Sequence, residues 1–156
     1  MSKRKKTETK IDFEKMLTLK DLRDKSIELS HTMEELSRPI LDDLSLLPII
    51  FDVFCNCLEK KPTPPVANSV YQRKKFLLVI MYLYSPRTLA GGKMRLGLRD
   101  ELSRILGLNA KTPISDNCSD VMTLYKTYRD FRKDVDLIYD AVIRKLQEMN
   151  LVFLVA

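Results

Sequence analysis

The chain has 156 residues, of which 45% are hydrophobic and 31% charged, and its formal net charge at pH 7 is +6. This composition excludes an intrinsically disordered protein, and four glycines are too few for the many tight turns of an all-β fold. We therefore predict an all-α protein, a helical bundle with one substantial core. The charge is uneven: residues 1–10 hold five basic residues and one acidic residue, residues 11–60 six and eleven, and residues 61–156 sixteen and nine.

The sequence contains no candidate membrane-spanning segment and no secretory signal. The longest apolar runs, residues 46–58 and 76–84, are shorter than the roughly 20 residues that a spanning helix needs. The basic start of the chain is not followed by an apolar segment. Three cysteines, an odd number, favour reduced thiols over a disulfide framework. We therefore expect an intracellular, cytoplasmic protein.

Residues 1–10 are predicted to form a disordered basic tail, because their cations are not accompanied by an apolar anchor. Such a tail either keeps the end of the chain in solution or contacts a nucleic acid as a flexible arm.

A heptad-patterned helix is predicted from Thr18 onward. Its apolar positions follow one another at intervals of three and four, with Ser26 as the one polar break: Leu19, Leu22, Leu29, Met33, Leu36 and Ile40. We call this row the seam. Most other positions are charged or polar, so the seam needs a partner helix. That partner is either another helix of the same chain or a second copy of the protein, which would make a dimer.

Prolines divide the rest of the first half. Pro39 and Pro48 predict a bend or restart of the helix near Arg38, and residues 40–58 are apolar enough to form a core helix. The segment "EKKPTPPVANS" (59–69) favours an extended linker, since three of its prolines fall within four residues. The sequence therefore predicts a helical region at 11–58, which is a candidate coiled-coil or dimerisation region, and a second helical domain at 70–156.

The second domain begins with a predicted buried helix at 70–84 and a loop at 85–97, which contains the only Gly-Gly pair. An amphipathic helix follows at 98–107, with Gly107 in the position where glycine ends a helix.

A long final helix is predicted from Thr112 to about Met149. It carries a second seam, formed by Leu124, Tyr128, Phe131, Val135, Ile138 and Val142. The most economical architecture packs the two seams against each other. The last residues, "LVFLVA" (151–156), are either a short strand or a buried tail.

The sequence gives little support for catalysis, a metal site or a cofactor. His31 is the only histidine, and the cysteines of "CNC" (55–57) lie far along the chain from Cys118, so the spacing of a metal site is missing. Nor does the Gly-Gly-Lys of residues 91–93 have the spacing of a phosphate-binding loop. We therefore predict a protein that is not an enzyme and needs no cofactor.

The stretch "LRDELSRILGLNAKTPIS" (98–115) resembles the helix-turn-helix superfamily of DNA-binding proteins, of the sigma-factor and repressor types. Leu102, Ile105 and Leu106 match the packing positions of the motif, and Gly107 matches its turn glycine. Ile114 and Ser115 match the start of its second helix. Six residues separate Gly107 from Ile114, one more than in the tightest form of the motif, and Pro113 suits the first turn of the second helix. The resemblance implies that the start of this helix lies in the major groove of DNA.

Cations and short polar side chains on and around these helices are the candidate contacts to phosphates and base edges. The candidate DNA-binding residues are Arg95, Arg99, Arg104, Lys111, Thr112, Ser115, Asn117, Ser119 and Lys126. Asp116 and Asp120 oppose them. The alternative interpretation of the cations is an ordinary solvated surface, balanced by nearby carboxylates.

Two functions remain open from the sequence. The first is a DNA-binding protein, such as a transcriptional regulator, that dimerises through the seam. The second is a structural or assembly protein, such as a component of a virion or another large complex. In that case the acidic first half could dock on the basic half of a neighbour.

Overall fold

The structure, a computed structural model, describes residues 11–152, and this part of the chain is all-helical, which confirms the predicted fold class. A 3-10 turn at Leu44–Leu46 precedes the second helix. The α-helices are α1 (Glu14–Leu36), α2 (Leu47–Glu59), α3 (Val70–Tyr84), α4 (Pro86–Leu89), α5 (Leu98–Ile105), α6 (Thr112–Cys118), α7 (Val121–Thr127) and α8 (Arg129–Glu148). The basic tail predicted at 1–10 and most of the segment 151–156 lie outside the described residues.

The chain divides into two compact units between Leu36 and Ser37. The first unit contains α1, whose residues are mostly strong helix formers such as Leu, Lys, Glu and Met. The helix ends three residues before Pro39, which has no N–H to continue the backbone ladder. None of its residues is buried.

The second unit is built around α3, which is buried on almost every face and packs against α4, α6, α7 and α8. Its prediction at 70–84 is confirmed residue for residue. Tyr71 near the start of α3 contacts Phe131 near the start of α8, with ring centroids 5.7 Å apart, and Tyr82 near its end contacts Tyr139 at 5.4 Å. The two helices therefore run in the same direction.

The proline-rich segment 59–69 is a connection inside the second unit, so the division of the chain does not fall at this predicted linker. Asp134 of α8 accepts hydrogen bonds from Lys61 at 2.8 Å and from Lys75 at 2.6 Å. At the other end of the segment, the side-chain amide of Asn68 donates to the Leu106 carbonyl at 2.9 Å. These bonds fasten the segment to two different parts of the unit.

The predicted long helix from Thr112 to Met149 is wrong, because the chain forms α6, α7 and α8 instead. The hydroxyl of Ser119 donates a hydrogen bond to the Asp116 carbonyl at 2.7 Å. Such a local side-chain bond competes with the backbone hydrogen bonds that would continue the helix. At the second break, Tyr128 adopts an extended backbone conformation.

The part of the second seam that lies on α8 is buried: Phe131, Val135, Ile138 and Val142. It is covered by α2 and α3 of the same unit. The expected pairing of the two seams is therefore wrong. Leu124 and Tyr128 lie before the break and do not continue the α8 row.

The first seam is exposed along α1, from 57% at Leu19 and Leu22 to 75% at Leu36, with Leu29 and Met33 between these values. Ile40 does not extend it. This residue lies beyond the end of the helix, in the second unit, where its backbone N–H donates to the Leu83 carbonyl at 2.9 Å.

Candidate nucleic-acid interface

The bend predicted between α5 and α6 is present and is made by Gly107. Its φ of +66° is in the left-handed region that favours glycine. The N–H of Gly107 donates to the Arg104 carbonyl at 3.2 Å and that of Leu108 to the Ser103 carbonyl at 2.9 Å. This is the hydrogen-bond pattern of a glycine-terminated helix. The chain then turns and starts α6 at Thr112, with Pro113 in its first turn.

The inner face of α6 packs on α3, and this arrangement corrects one predicted DNA contact. Asn117 is buried together with Ile114 and Cys118, and within residues 11–152 its side-chain N–H group finds no hydrogen-bond acceptor. The predicted contact by Asn117 would need this packing to open. Ser115 is half-buried.

The outer face of α6 is exposed at Thr112, Asp116 and Ser119. The hydroxyl of Ser119 is already bonded to the Asp116 carbonyl. Of the predicted DNA contacts on α6, Thr112 and Ser119 are therefore on the surface, but the Asp116 carboxylate lies between them. A phosphate approaching this face would be repelled by Asp116.

Three of the predicted cations are paired with carboxylates. The Arg95 guanidinium lies 3.2 Å from Asp42, the Arg104 guanidinium lies 2.5 Å from Glu101, and the Lys111 ammonium pairs with Asp100. Arg99 and Lys126 are exposed and take part in no ion pair within the described residues. Between residues 95 and 120 the chain has four cations and four carboxylates, so this stretch is neutral as a whole.

A stronger concentration of positive charge lies just before α5 and in its first turn. Residues 85–99, which we call the basic segment, contain Arg87, Lys93, Arg95 and Arg99 and no acidic residue. Only Arg95 and Arg99 of this group are among the DNA contacts predicted from the sequence. A count of charge in short windows would have found the other two, because no carboxylate interrupts the stretch.

The fold fixes the shape of the basic segment. The Arg87 Nε donates to the Lys93 carbonyl at 2.8 Å, and the Ser85 hydroxyl accepts the backbone N–H of Arg95 at 3.1 Å. A Cβ atom at Gly92 would lie only 2.9 Å from the Arg87 carbonyl oxygen, so only glycine fits there without a shift of the backbone. These two hydrogen bonds close the segment into a turn.

The basic segment also presents an apolar side chain. Leu96 is 95% exposed and lies between Arg95 and Gly97, whose φ of +84° turns the chain into α5. Isolated exposed leucines are common on protein surfaces, but this one is surrounded in sequence by cations. Such a tip can contact the apolar sugar edges of a nucleic acid while the cations meet the phosphates.

Comparisons with protein-family models, with curated proteins and with solved structures found no match to this chain.

The cysteines of the described chain are not activated nucleophiles. Burial raises the pKa of the Cys118 thiol to about 12. Burial, followed by the nearby carboxylates Asp52 and Glu59, raises the pKa of Cys55. For Cys57, burial raises the pKa more than Lys60 lowers it. All three thiols stay protonated at neutral pH, whereas thiol nucleophiles and metal ligands act as thiolates.

Residues 11–152 contain no group of three or more His, Cys, Asp or Glu side chains placed to hold a metal ion. No helix in this part of the chain combines the length and the apolar character needed to cross a lipid bilayer.

Proposed function

We propose that the protein is a non-enzymatic DNA-binding protein that contacts duplex DNA through the basic segment and the adjoining outer face of α5 and α6. The observation that carries this proposal is the set of four cations without a carboxylate in residues 85–99, on a hydrogen-bonded turn that leads into α5. Cations that replace the counterions of DNA supply much of the affinity of DNA-binding proteins.

Lys93 and Arg99 are exposed cations of the basic segment whose side chains form no ion pair and no hydrogen bond within the described residues, and they are the main phosphate contacts in this proposal. Arg87 contributes positive potential while its side chain helps to close the turn, whereas part of the charge of Arg95 is balanced by Asp42. Thr112 adds an exposed hydroxyl at the start of α6. Because α6 carries Asp116 on its outer face, it contributes orientation rather than most of the affinity.

A binding experiment tests this proposal directly. The double variant Lys93→Gln/Arg99→Gln is expected to weaken binding to a duplex of mixed sequence by at least tenfold at low salt, measured by gel shift or fluorescence anisotropy. Neither side chain is buried, so the variant should keep the wild-type circular dichroism spectrum.

The matched control is Arg129→Gln/Lys133→Gln, which removes the same charge from exposed positions at the start of α8. The start of α8 lies beside the start of α3, whereas the basic segment follows the end of α3, about 22 Å away along the helix axis. Equal loss in both variants would reduce the interaction to net charge. No binding by the wild type at low salt would remove the proposal.

The exposure of α1 favours a second candidate function, assembly through helical contacts with a second copy of the chain. A helix of 23 residues with its leucine and methionine row in water gains stability by pairing that row. The positions that flank the seam are Met16, Thr18, Arg23, Lys25, Ser30 and Thr32. They contain no carboxylate, and the acidic residues of α1 occupy its outer positions.

The polar break in the seam indicates the direction of pairing. In a parallel pair of α1 helices, Ser26 faces Ser26 of the second copy, and the hydroxyls can bond to each other. In an antiparallel pair it faces a leucine and is buried without a partner. Polar residues in the seam of a coiled coil often fix its register in this way. The two functions are compatible, since a dimer would present two basic segments to DNA.

A further inference from the structure

A half-open groove of about 380 Å³ lies in the second unit, between α3, α4, α7 and α8. Its size is in the range of small-molecule sites in proteins. The residues that line it are Leu78, Val79, Tyr82, Leu89, Met122, Tyr125, Val135, Asp136 and Tyr139.

The floor and the walls of the groove differ in character. Leu78, Val79 and Val135 are buried and form an apolar floor. Above it, the rings of Tyr82 and Tyr139 meet edge to face at a centroid distance of 5.4 Å. These residues provide an apolar surface together with the exposed ring of Tyr82 and the half-buried ring of Tyr139, and the faces of aromatic rings attract cations.

Asp136 is the only charged residue that lines the groove. One of its oxygens accepts a hydrogen bond from the Tyr125 hydroxyl at 2.8 Å, which orients the carboxylate. Within residues 11–152 this carboxylate forms no ion pair. Arg132, one turn earlier on α8, instead lies over the Tyr125 ring at 4.9 Å and donates to the Tyr125 carbonyl at 3.0 Å.

Two tyrosines of the groove, Tyr125 and Tyr139, have a raised pKa and remain neutral at physiological pH. The hydrogen bond to Asp136, followed by burial, raises the pKa of Tyr125 above its usual value. Burial and the neighbouring Tyr82 raise the pKa of Tyr139. Asp136 is therefore the one carboxylate among the residues that line the groove, and a ligand with one positive charge complements it.

We propose that this groove binds a small organic cation, with its ammonium group beside Asp136 and the tyrosine rings and its apolar body on the floor of Leu78, Val79 and Val135. The combination of aromatic faces, one oriented carboxylate and an apolar floor is the chemistry that recognises alkylated or aromatic ammonium compounds. An anionic ligand would be repelled by Asp136, and a neutral ligand would leave the Asp136 carboxylate without a partner of opposite charge. This inference does not depend on DNA binding.

The test uses benzyltrimethylammonium as the probe and neopentylbenzene, which has the same shape without the charge, as its neutral counterpart. Binding is followed by tyrosine fluorescence, since the chain has no tryptophan and three of its six tyrosines line the groove. The expected result is saturable binding of the cation, with at least tenfold weaker binding of the neutral compound. Equal affinity for the two would overturn the proposal.

Two variants locate the charge. Asp136→Asn is expected to weaken binding of the cation about tenfold while leaving the neutral compound unchanged, because it removes the charge and keeps an acceptor for Tyr125. The control is Asp130→Asn, an exposed acidic residue of α8 that does not line the groove. Equal effects of the two variants, or no binding of the free cation, would contradict the proposal. Binding confined to a peptide with a trimethylated lysine would also contradict it, in favour of a macromolecular partner.

Discussion

Replacing Leu29 by aspartate is expected to abolish self-association while leaving the second unit folded. Leu29 lies in the middle of the seam and is 64% exposed in the single chain. In a pair of α1 helices both copies of this side chain are removed from water. The variant places a carboxylate at the same position in each helix, opposite or near its symmetry mate.

The magnitude follows from the exposed fraction. Full burial of a leucine side chain stabilises by about 1.5–3 kcal/mol, so burial of the exposed part contributes about 1–2 kcal/mol per chain and about 2–4 kcal/mol per dimer. Every 1.4 kcal/mol is about tenfold in the dissociation constant. The loss of apolar contact alone should therefore weaken the dimer by roughly 30-fold to several hundredfold, and the desolvation of the two carboxylates adds to this loss.

Sedimentation equilibrium over a wide range of protein concentrations measures this effect. The matched control is Ile27→Asp, since Ile27 is also an exposed apolar residue of α1 but lies outside the seam. The control should remain a dimer. Because α1 has no buried residue, both variants should unfold in urea at the wild-type midpoint. A wild type that is monomeric at every concentration, or two variants that dissociate alike, would refute the reasoning.

Three further predictions concern the second unit and are tested by urea unfolding followed by circular dichroism. Asp134→Asn should lower the free energy of unfolding by about 3 kcal/mol, because Lys75, whose side chain is only 3% exposed, loses its charged partner; a loss below about 1 kcal/mol would contradict this. Burial raises the pKa of Asp134, but hydrogen bonds from Lys61 and Lys75 outweigh burial and hold the pKa below its usual value. The wild type should therefore keep this contribution above the ordinary carboxyl pKa and lose it as the pH falls through the lower folded value, whereas the Asn variant should show a smaller loss in acid. Asn117→Leu should raise the free energy of unfolding by about 1 kcal/mol, because it removes a buried N–H group without an acceptor in the described chain, and unchanged DNA affinity would agree with its burial. Gly107→Ala should cost about 1 kcal/mol through its positive φ, although there is open space for the methyl group; an unchanged midpoint would count against the bend as described.

The sequence predicted those helices whose ends are marked by strong local signals. Helix α3 is an apolar run bounded by Ser69 and by Ser85-Pro86, and Gly107 ends the pattern of α5, so both helices were found within two residues. The stop of α1 before Pro39 was predicted for the same reason.

The breaks in the predicted final helix were missed because they depend on weaker local choices. The residues from Thr112 to Met149 include proline only at position 113 and no glycine. The chain is interrupted instead where Ser119 bonds to the Asp116 carbonyl and where Tyr128 becomes extended. Periodicity alone cannot detect the second break, because Leu124, Tyr128 and Phe131 keep their helical spacing across it.

Contacts between residues far apart in the sequence also determine which residues of the candidate site are buried or paired. Asn117 has the polarity of a surface residue, but the packing of α6 on α3 buries it. The partners of Arg95 and Lys111 could not be assigned from the sequence, since Asp42 and Asp100 are brought near them by the fold. Residues 59–69 likewise have the composition of a linker, but Lys61 donates a hydrogen bond to Asp134 of α8, a contact that the sequence does not reveal.

The salt dependence of duplex binding tests the central proposal most directly. The logarithm of the association constant should fall linearly with the logarithm of the salt concentration, and the slope should become shallower by about 2 in Lys93→Gln/Arg99→Gln, at about 0.9 per phosphate contact. The slope of the control Arg129→Gln/Lys133→Gln should stay at the wild-type value. An unchanged slope in the first variant, or an equal change in both, would contradict the assignment of the basic segment as the DNA-binding surface.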